Sequence, residues 1–329
     1  MEAARVPNCP ICESNSTLVE HKGLFDDRYG FPGDFDVAKC AACKHRFSLP
    51  KLSETDISKV YEYYGRRRTH SGDITKEANK SARTTAIQRF FAGTNNLGQH
   101  FAPSGSRILD VGSGDCSNLL ESTILGFDSV GFDVDSESQR LGNELGLNVQ
   151  VANSTKDIDS THTFSWIQLN QVVEHFIDPV SQVKALSLVL QNSGKVFIAT
   201  PNVSSLARRL FSRRWINWHV PYHQHHFSKA SLEILAQRSG LEIESWQTVT
   251  PNVWAKLQVA TLTERQMKGS PSNLWRNDGI VEISLLGKVM RKTANFGSLC
   301  LSPLTTATLR FVDLIGMGDC HVIILKGRT

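Results

Sequence analysis

From residue 104 onward, short apolar runs rich in β-branched side chains alternate with longer stretches whose apolar residues recur at helical spacing. The runs Arg107–Val111, Ser129–Asp133, Asn148–Val151, Ser165–Leu169 and Lys195–Ala199 read as strands, with 116–125, 136–145 and 179–191 as the helices between them. Such alternation predicts an α/β fold, a doubly wound parallel sheet covered by helices on both faces. Ser228–Gly240 reads as a further helix, capped by Ser228 and stopped by Gly240, and Leu241–Val249 as the strand after it. The stretch 251–318 reads as helical with loops, and Cys320–Leu325 as a closing strand. Upstream, Ser53-Glu54-Thr55-Asp56 supplies an N-cap with acids in the first turn, opening a helical pattern over 53–102 that Pro103-Ser104-Gly105-Ser106 breaks.

Composition adds bounds rather than detail. The chain has 329 residues, 40% of them hydrophobic and 21% charged, an ordinary globular make-up with room for two or three folded units. Its 36 basic and 32 acidic side chains leave a net charge of +4, too little for a dedicated nucleic-acid binder. No uncharged apolar run approaches the ~18–20 residues of a membrane span. Met1-Glu2-Ala3-Ala4-Arg5-Val6-Pro7 lacks the apolar core of a signal peptide, so a cytoplasmic protein is expected. Residues 281–316, apolar with Lys288, Arg291 and Lys292 interspersed, offer a membrane-surface helix or a dimer face, and more simply a lid on the sheet.

The seven cysteines change the picture more. An odd count without an export signal argues against a disulfide framework, yet four of them form two Cys-x-x-Cys knuckles, Cys9/Cys12 and Cys40/Cys43. Two knuckles supply the tetrahedral four-sulfur shell of a structural Zn²⁺, and such a shell leaves no open position for a substrate. Residues 1–50 thus read as a zinc ribbon whose apolar residues are too sparse for a metal-free core. His21 and His45 are alternative ligands but read more simply as core or surface histidines. Cys116, Cys300 and Cys320 read as small buried hydrophobes.

The run Ile108-Leu109-Asp110-Val111-Gly112-Ser113-Gly114-Asp115 is a strand entering a glycine loop ahead of a helix. The third glycine of the dinucleotide fingerprint is missing, because Ser117 stands in its place, and Asp110 suits a cationic ligand better than a pyrophosphate. Asp133, closing the next strand, can accept bonds from both hydroxyls of a ribose. A nucleoside with a positively charged amino-acid tail fits this pair of acids.

These segments resemble class I S-adenosylmethionine-dependent methyltransferases. The resemblance rests on Ile108–Gly114, Gly131-Phe132-Asp133, the fourth-strand stretch 166–179, Gly194–Asn202 and Tyr222–Ser228, and covers roughly residues 105–250. More narrowly, the chain looks like bacterial relatives of the ubiquinone O-methyltransferases that carry an N-terminal Cys-x-x-Cys zinc domain, some of which methylate sugars or glycans. Residues 316–324 resemble the return strand that completes their sheet. The resemblance implies a mostly parallel, seven-stranded Rossmann-like sheet with a zinc ribbon (1–50), a helical linker or cap (51–103), an S-adenosylmethionine-binding core (104–250), a helical insertion or lid (251–318) and a final strand (319–329). It further implies that Asp110, Gly112 and Gly114 line the methionine moiety and that Asp133 holds the ribose. Asn153 would touch the adenine, in a place where the family often has an acid, and Asn170 and Gln171 would flank the sulfonium.

Methyl transfer to a hydroxyl needs alignment and a base. His175 follows the fourth strand and is the expected base, with His226 and His223 positioning the acceptor or sharing that role, and Glu174 beside them. Some ubiquinone-type relatives hold a divalent ion in a Glu-x-x-Glu-His cluster. Here the matching residues are Gln171, Glu174 and His175, and the amide in first place argues against a catalytic metal. Between 206 and 219, four arginines interleave with Phe211, Trp215 and Trp218. They suit an anionic or sugar-bearing acceptor, or else form a basic surface whose aromatics face the core, which is the plainer reading. Arg66-Arg67-Arg68 reads as a solvated run.

The expectation is an enzyme that methylates a small-molecule or glycan-linked acceptor at a hydroxyl oxygen. C-methylation of a nucleotide-linked sugar is the alternative within enzymes. A zinc-stabilised module that binds S-adenosylmethionine or nucleic acid without this catalysis is the alternative from another class. Against nucleic acid, the fourth-strand segment reads Asn170-Gln171-Val172-Val173 rather than a base-methylating Asn-Pro-Pro-Tyr.

Overall fold

A computed structural model describes residues 6–63, 71–159, 161, 163–262, 266–272, 274–275 and 303–328. Its centre is a seven-stranded sheet built from β4 (Arg107–Val111), β5 (Asp128–Asp133), β6 (Val149–Val151), β7 (Phe164–Asn170), β8 (Leu190–Pro201), β10 (Leu241–Val249) and β11 (Cys320–Gly327). The order is β10-β11-β8-β7-β4-β5-β6, parallel except for β11, which runs antiparallel between β8 and β10. The chain winds outward from β4 through β5 to β6, then returns to place β7 on the other side of β4. That reversal opens a crevice at the carboxyl ends of β4 and β7, where doubly wound sheets bind ligands. Ladder partners put Asp110 of β4 between Gly131 of β5 and Gln168 of β7.

The central strands are apolar on both faces because helices cover both. Leu109, Val111, Ile167, Leu169, Val196, Ile198, Ile323 and Leu325 share one core with Val183 and Leu186 of α6 (Pro179–Leu188) and with Leu232 and Leu235 of α8 (Lys229–Arg238), which follows the short α7 (Leu206–Phe211). A second core joins Ile74 and Ala78 of α2 (Ser71–Ala82) to Leu119 and Leu120 of α4 (Ser117–Ile124) and Leu141 of α5 (Ser136–Glu144).

Ahead of this sheet, β1 (Thr17–Leu24), β2 (Phe35–Cys40) and β3 (Arg46–Leu49) form an antiparallel sheet. Its fourth strand comes from far along the chain: β9 (His225–His226) pairs with β3, Arg46 facing His226 and Phe47 facing His225. The sheet has no separate core of its own at the knuckles, since Cys9, Ile11, Cys40 and Cys43 pack into the same cluster as Phe227, Leu232, Leu235 and Ala236.

Several elements differ from the sequence reading. The helical pattern over 53–102 is broken into α1 (Glu54–Tyr63), α2 and α3 (Ala86–Ala92), because Thr85 builds a capping box with Gln88 and Gly93 ends α3 in the left-handed region. The helix expected over 179–191 stops at Leu188, and β8 starts at Leu190, five residues before the apolar run that announced it. Gln191, Asn192 and Ser193 hide that strand start because they are polar and exposed. Within 251–318 the described helices are α9 (Asn252–Ala260) and α10 (Pro303–Leu314). Arg66–Arg68, Cys300 and the basic-apolar stretch around Lys288, Arg291 and Lys292 lie outside the described residues. Among the described residues no helix is long and apolar enough to cross a membrane.

Candidate functional site

The glycine loop after β4 is forced by two constraints. Gly112 sits at φ +72°, and a Cβ there would meet Val172 Cγ2 at 2.6 Å; Gly114 follows at φ +52°. Gly131 is equally confined, since its Cβ would lie 2.5 Å from Ser113 Oγ. The loop is tied down by Asp133, whose Oδ2 accepts from Gly114 N at 2.7 Å and whose Oδ1 accepts from Asp135 N at 2.9 Å. Ionised carboxylate oxygens offer about four acceptor sites, so Asp133 retains capacity for a ribose.

Asp110 is fully buried. One oxygen accepts from Gln168 Nε2 at 2.9 Å, and the other has no partner. Burial pushes its carboxyl up to about 7, against the pull of the Gln168 hydrogen bond. Asn170 Oδ1 accepts from Gly98 N at 2.9 Å, which ties the turn Gly98–His100 onto the crevice, and Asn170 Nδ2 is buried with no partner. An unpaired buried acceptor, an unpaired buried donor and a glycine wall are the features that a nucleoside with a cationic amino-acid tail requires. Gln171 sits at φ +61°, and its side-chain amide donates to Cys320 Sγ at 3.3 Å. Asn153 is exposed beyond the end of β6.

Gln168 and Gly98 did not emerge from the sequence reading. Gln168 had a signal, being the lone polar residue in the run Trp166-Ile167-Gln168-Leu169, where burial on both faces demands a partner. Gly98 had none, since its need for glycine comes from tertiary approach: a Cβ would lie 2.7 Å from the Gln168 side chain.

Beside this crevice the turn Val173–His175 and the segment 217–226 bring imidazoles together. His175 Nδ1 lies 3.1 Å from Tyr222 O and 3.3 Å from Tyr61 Oη. His223 Nδ1 lies 2.9 Å from Asn217 O. A carbonyl can only accept, so both rings carry their proton on Nδ1 and keep the Nε2 lone pair. Burial pulls His175 down to about 4 and His223 well below the ordinary histidine range. The two rings meet edge to face with centroids 4.8 Å apart. Glu174 is fully buried, takes a 2.9 Å bond from Thr200 Oγ1 on one oxygen and has no partner on the other; burial pushes it up to about 8.

Glu174, His175 and His223 each place one donor atom within 4.8 Å of the others. Two imidazoles and a carboxylate are a donor set that transition metals accept. His226 is set apart: both of its ring nitrogens are unpartnered, its ring abuts Trp218 at 4.9 Å, and its centroid lies 6.2 Å from that of His223. Tyr29, from the loop between β1 and β2, closes the other side, 5.7 Å from His219 and 5.4 Å from Tyr222 between ring centroids.

The basic-aromatic segment follows its plainer reading for the aromatics. Trp215 and Trp218 are buried, and Trp215 donates to Asp319 at 2.8 Å. Its arginines, however, are engaged more than a solvated face would be. Arg208 pairs with Glu20 at 2.7 Å, Arg213 donates to Gly23 O at 3.3 Å and Arg214 to Thr261 O at 2.6 Å.

At the knuckles, Cys9 and Cys43 sulfurs lie 3.6 Å apart and those of Cys12 and Cys40 3.5 Å, with all four within 4.8 Å of one another. A disulfide needs about 2.05 Å. Four thiolates at about 2.3 Å from one ion stand roughly 3.8 Å apart at tetrahedral angles, close to what is found. His45, one residue past Lys44, instead places Nε2 3.0 Å from His225 Nδ1.

Residues 82–245 match the family described as "Methyltransferase domain". The chain is 26% identical over 167 residues to a ubiquinone biosynthesis O-methyltransferase of Xanthomonas axonopodis pv. citri, covering 46% of this chain and 69% of that protein. The corresponding Xanthomonas oryzae pv. oryzae protein is 26% identical over 166 residues, with the same coverage. Among solved structures, a methyltransferase from Thermotoga maritima described as a possible histamine N-methyltransferase superposes with a TM-score of 0.44 at 13% identity, covering 79% of this chain and all of that one.

Proposed function

This chain is a class I S-adenosylmethionine-dependent methyltransferase, and we propose that it methylates a hydroxyl oxygen of a small-molecule or glycan-linked acceptor, with His175 as general base. The observation that carries this reading is the 3.1 Å contact of His175 Nδ1 with the Tyr222 carbonyl. It leaves the Nε2 lone pair free in a ring that burial holds neutral at physiological pH. A base already deprotonated can take the hydroxyl proton as the oxygen attacks.

S-adenosylmethionine, when bound, supplies the activated methyl group. Asp110 and Asn170 offer the buried unpaired atoms that would meet its amino-acid end, Gly112 and Gly114 let it lie against backbone, and Asp133 would hold the ribose. Gln171 and Asn153, one turned toward Cys320 and the other exposed, would act at the edges of that site. His223 presents a second neutral Nε2 beside the base and would orient the acceptor hydroxyl. Glu174, protonated below about pH 8, would brace the turn that carries His175. His226 would hold its neighbour His223 in place from behind. A Zn²⁺ held by Cys9, Cys12, Cys40 and Cys43 would be structural, its shell complete with four thiolates.

The test is methyl transfer from radiolabelled S-adenosylmethionine to a panel of hydroxylated acceptors by wild type and His175→Gln, alongside calorimetric titration of the cofactor. The reading expects transfer to fall by 10²-fold or more, in line with general-base loss, at unchanged cofactor affinity. Full turnover by His175→Gln would sink it.

A further inference from the structure

The turn Gly98–His100, which lies on β7 beside the crevice, is moored from behind by a buried carboxylate. Glu121 of α4 is only 2% exposed. Its Oε2 accepts from Gln99 Nε2 at 2.8 Å, and its Oε1 lies 3.0 Å from His100 Nε2. A further hydrogen bond comes from the side chain of Ser81 on α2. A carboxylate can only accept, so Gln99 and His100 both direct N–H groups into it. Burial pushes the Glu121 carboxyl up, but His100, Ser81 and Gln99 outweigh it and hold the group below the ordinary carboxylate range.

On its other side the same turn meets the residues of the crevice. Gly98 N donates to Asn170 Oδ1 at 2.9 Å, and a Cβ on Gly98 would lie 2.7 Å from both Cβ and Oε1 of Gln168. Phe101, next along the chain, sets its ring 5.3 Å from that of Phe197 on β8. With Oδ1 engaged, Asn170 is left to present Nδ2, the buried donor that has no partner. Gln168, confined by the turn, is the donor to Asp110. The place of this turn therefore fixes which end of the Asn170 amide a ligand meets.

We propose that Glu121 is a positioning residue for the cofactor: through Gln99 and His100 it holds the turn that sets Asn170 and Gln168 at the amino-acid end of S-adenosylmethionine. A binding group is only as well placed as the shell of side chains behind it. Glutamine at position 121 cannot do the same work, because its single oxygen accepts from one of the two N–H groups while its own amide N–H opposes the other. Exchanging the two side chains, with the carboxylate at 99 and the amide at 121, lets the amide donate to the carboxylate and still accept from His100. This inference rests on the reading of Asp110 and Asn170 as the site of the amino-acid end.

The experiment is calorimetric titration of the metal-loaded full chain with S-adenosylhomocysteine, and with 5′-methylthioadenosine by competition against it. Both ligands carry the nucleoside and the sulfur, and only the first carries the amino-acid tail. Wild type binds S-adenosylhomocysteine the more tightly. Glu121→Gln weakens S-adenosylhomocysteine about tenfold or more, the scale of one misplaced buried hydrogen bond, and leaves 5′-methylthioadenosine within twofold. The double variant Gln99→Glu/Glu121→Gln recovers part of the loss. Gly98→Ala, which drives the turn off Gln168, gives the same selective loss and serves in place of Glu121→Gln if that chain does not fold. Equal weakening of both ligands marks a merely structural role and overturns the proposal. So does unchanged binding of both, or a double variant as weak as the single one. A wild type that binds the two ligands alike sinks the amino-acid site itself, and this inference with it.

Discussion

Ser48, in β3 of the cysteine-bearing sheet, donates its hydroxyl to the carbonyl of His223 at 2.7 Å. One residue on, the ladder continues: Ser48 N donates to Gln224 O at 3.0 Å, and Gln224 N to Glu174 O at 2.9 Å. Two backbone steps thus join the N-terminal sheet to the turn that carries His175. From the other side, Ser228 Oγ donates to Cys43 O at 2.7 Å. The histidine pocket is therefore held between the two sheets rather than by the methyltransferase domain alone.

Ser48→Ala should cost about 1–3 kcal/mol of stability, since it strips the donor from a buried carbonyl. Turnover should fall with it, because His223 loses its tether, while the affinity for S-adenosylmethionine, bound in the other crevice, should stay within twofold. Thermal denaturation, steady-state kinetics and calorimetry on the one variant separate these effects.

Metal analysis by plasma emission should find one zinc per chain, lost in Cys9→Ser and in Cys43→Ser. Because Cys9, Cys40 and Cys43 are part of the main core, removing the ion should lower the melting temperature of the whole protein in a single transition. Two separated transitions would show that the N-terminal sheet melts on its own.

Gly112→Ala meets both an unfavourable φ and a contact of 2.6 Å with Val172 Cγ2. The φ penalty alone is about 1–2 kcal/mol, and overpacking adds about 1–3 kcal/mol. Cofactor binding should be abolished. Adding Val172→Ala removes the contact and should recover the packing part of the stability while leaving binding impaired, since the new methyl still occupies the crevice. Denaturant titration of the single and double variants checks this.

Cofactor affinity should depend on pH through Asp110. Its carboxyl sits at about 7 in the free protein, and a cationic ligand favours the ionised form, so binding releases a proton below that pH. The dissociation constant should rise as pH falls below 7, by up to tenfold per unit, and level off above it. The stability sign follows from the same shift: the folded state holds the Asp110 proton where the unfolded chain, near 3.8, has lost it. Asp110 therefore costs stability that grows as pH rises from about 4 to 7 and then saturates. Asp110→Asn should flatten both trends; titrations in buffers of different ionisation enthalpy count the released proton.

The parts of this molecule that were legible in the sequence are those fixed by local rules. β4 and β10 have the bounds their apolar runs announced, the four cysteines converge as their spacing requires, and the glycines of the loop sit where only glycine fits. What escaped depends on partners distant in sequence. β9 is two polar residues long and exists only because β3 pairs with it. Glu174 is singled out in sequence by its place beside His175, but only the surrounding fold buries it completely. Arg28 stands in a Gly- and Asp-rich loop that announces a turn, but its place over Trp275 depends on a partner distant in sequence.

β11 lies between β8 and β10, both of which precede it along the chain. During synthesis these two strands emerge with a gap between them and stay unpaired on their facing edges until the last strand is made. At about 5–20 residues per second, the wait lasts on the order of several seconds. For that interval the nascent chain presents two open strand edges, each a template for pairing with another chain. Production of this enzyme is thus most vulnerable to aggregation in the interval before β11 emerges, and a chaperone that shields strand edges in that window would raise its yield.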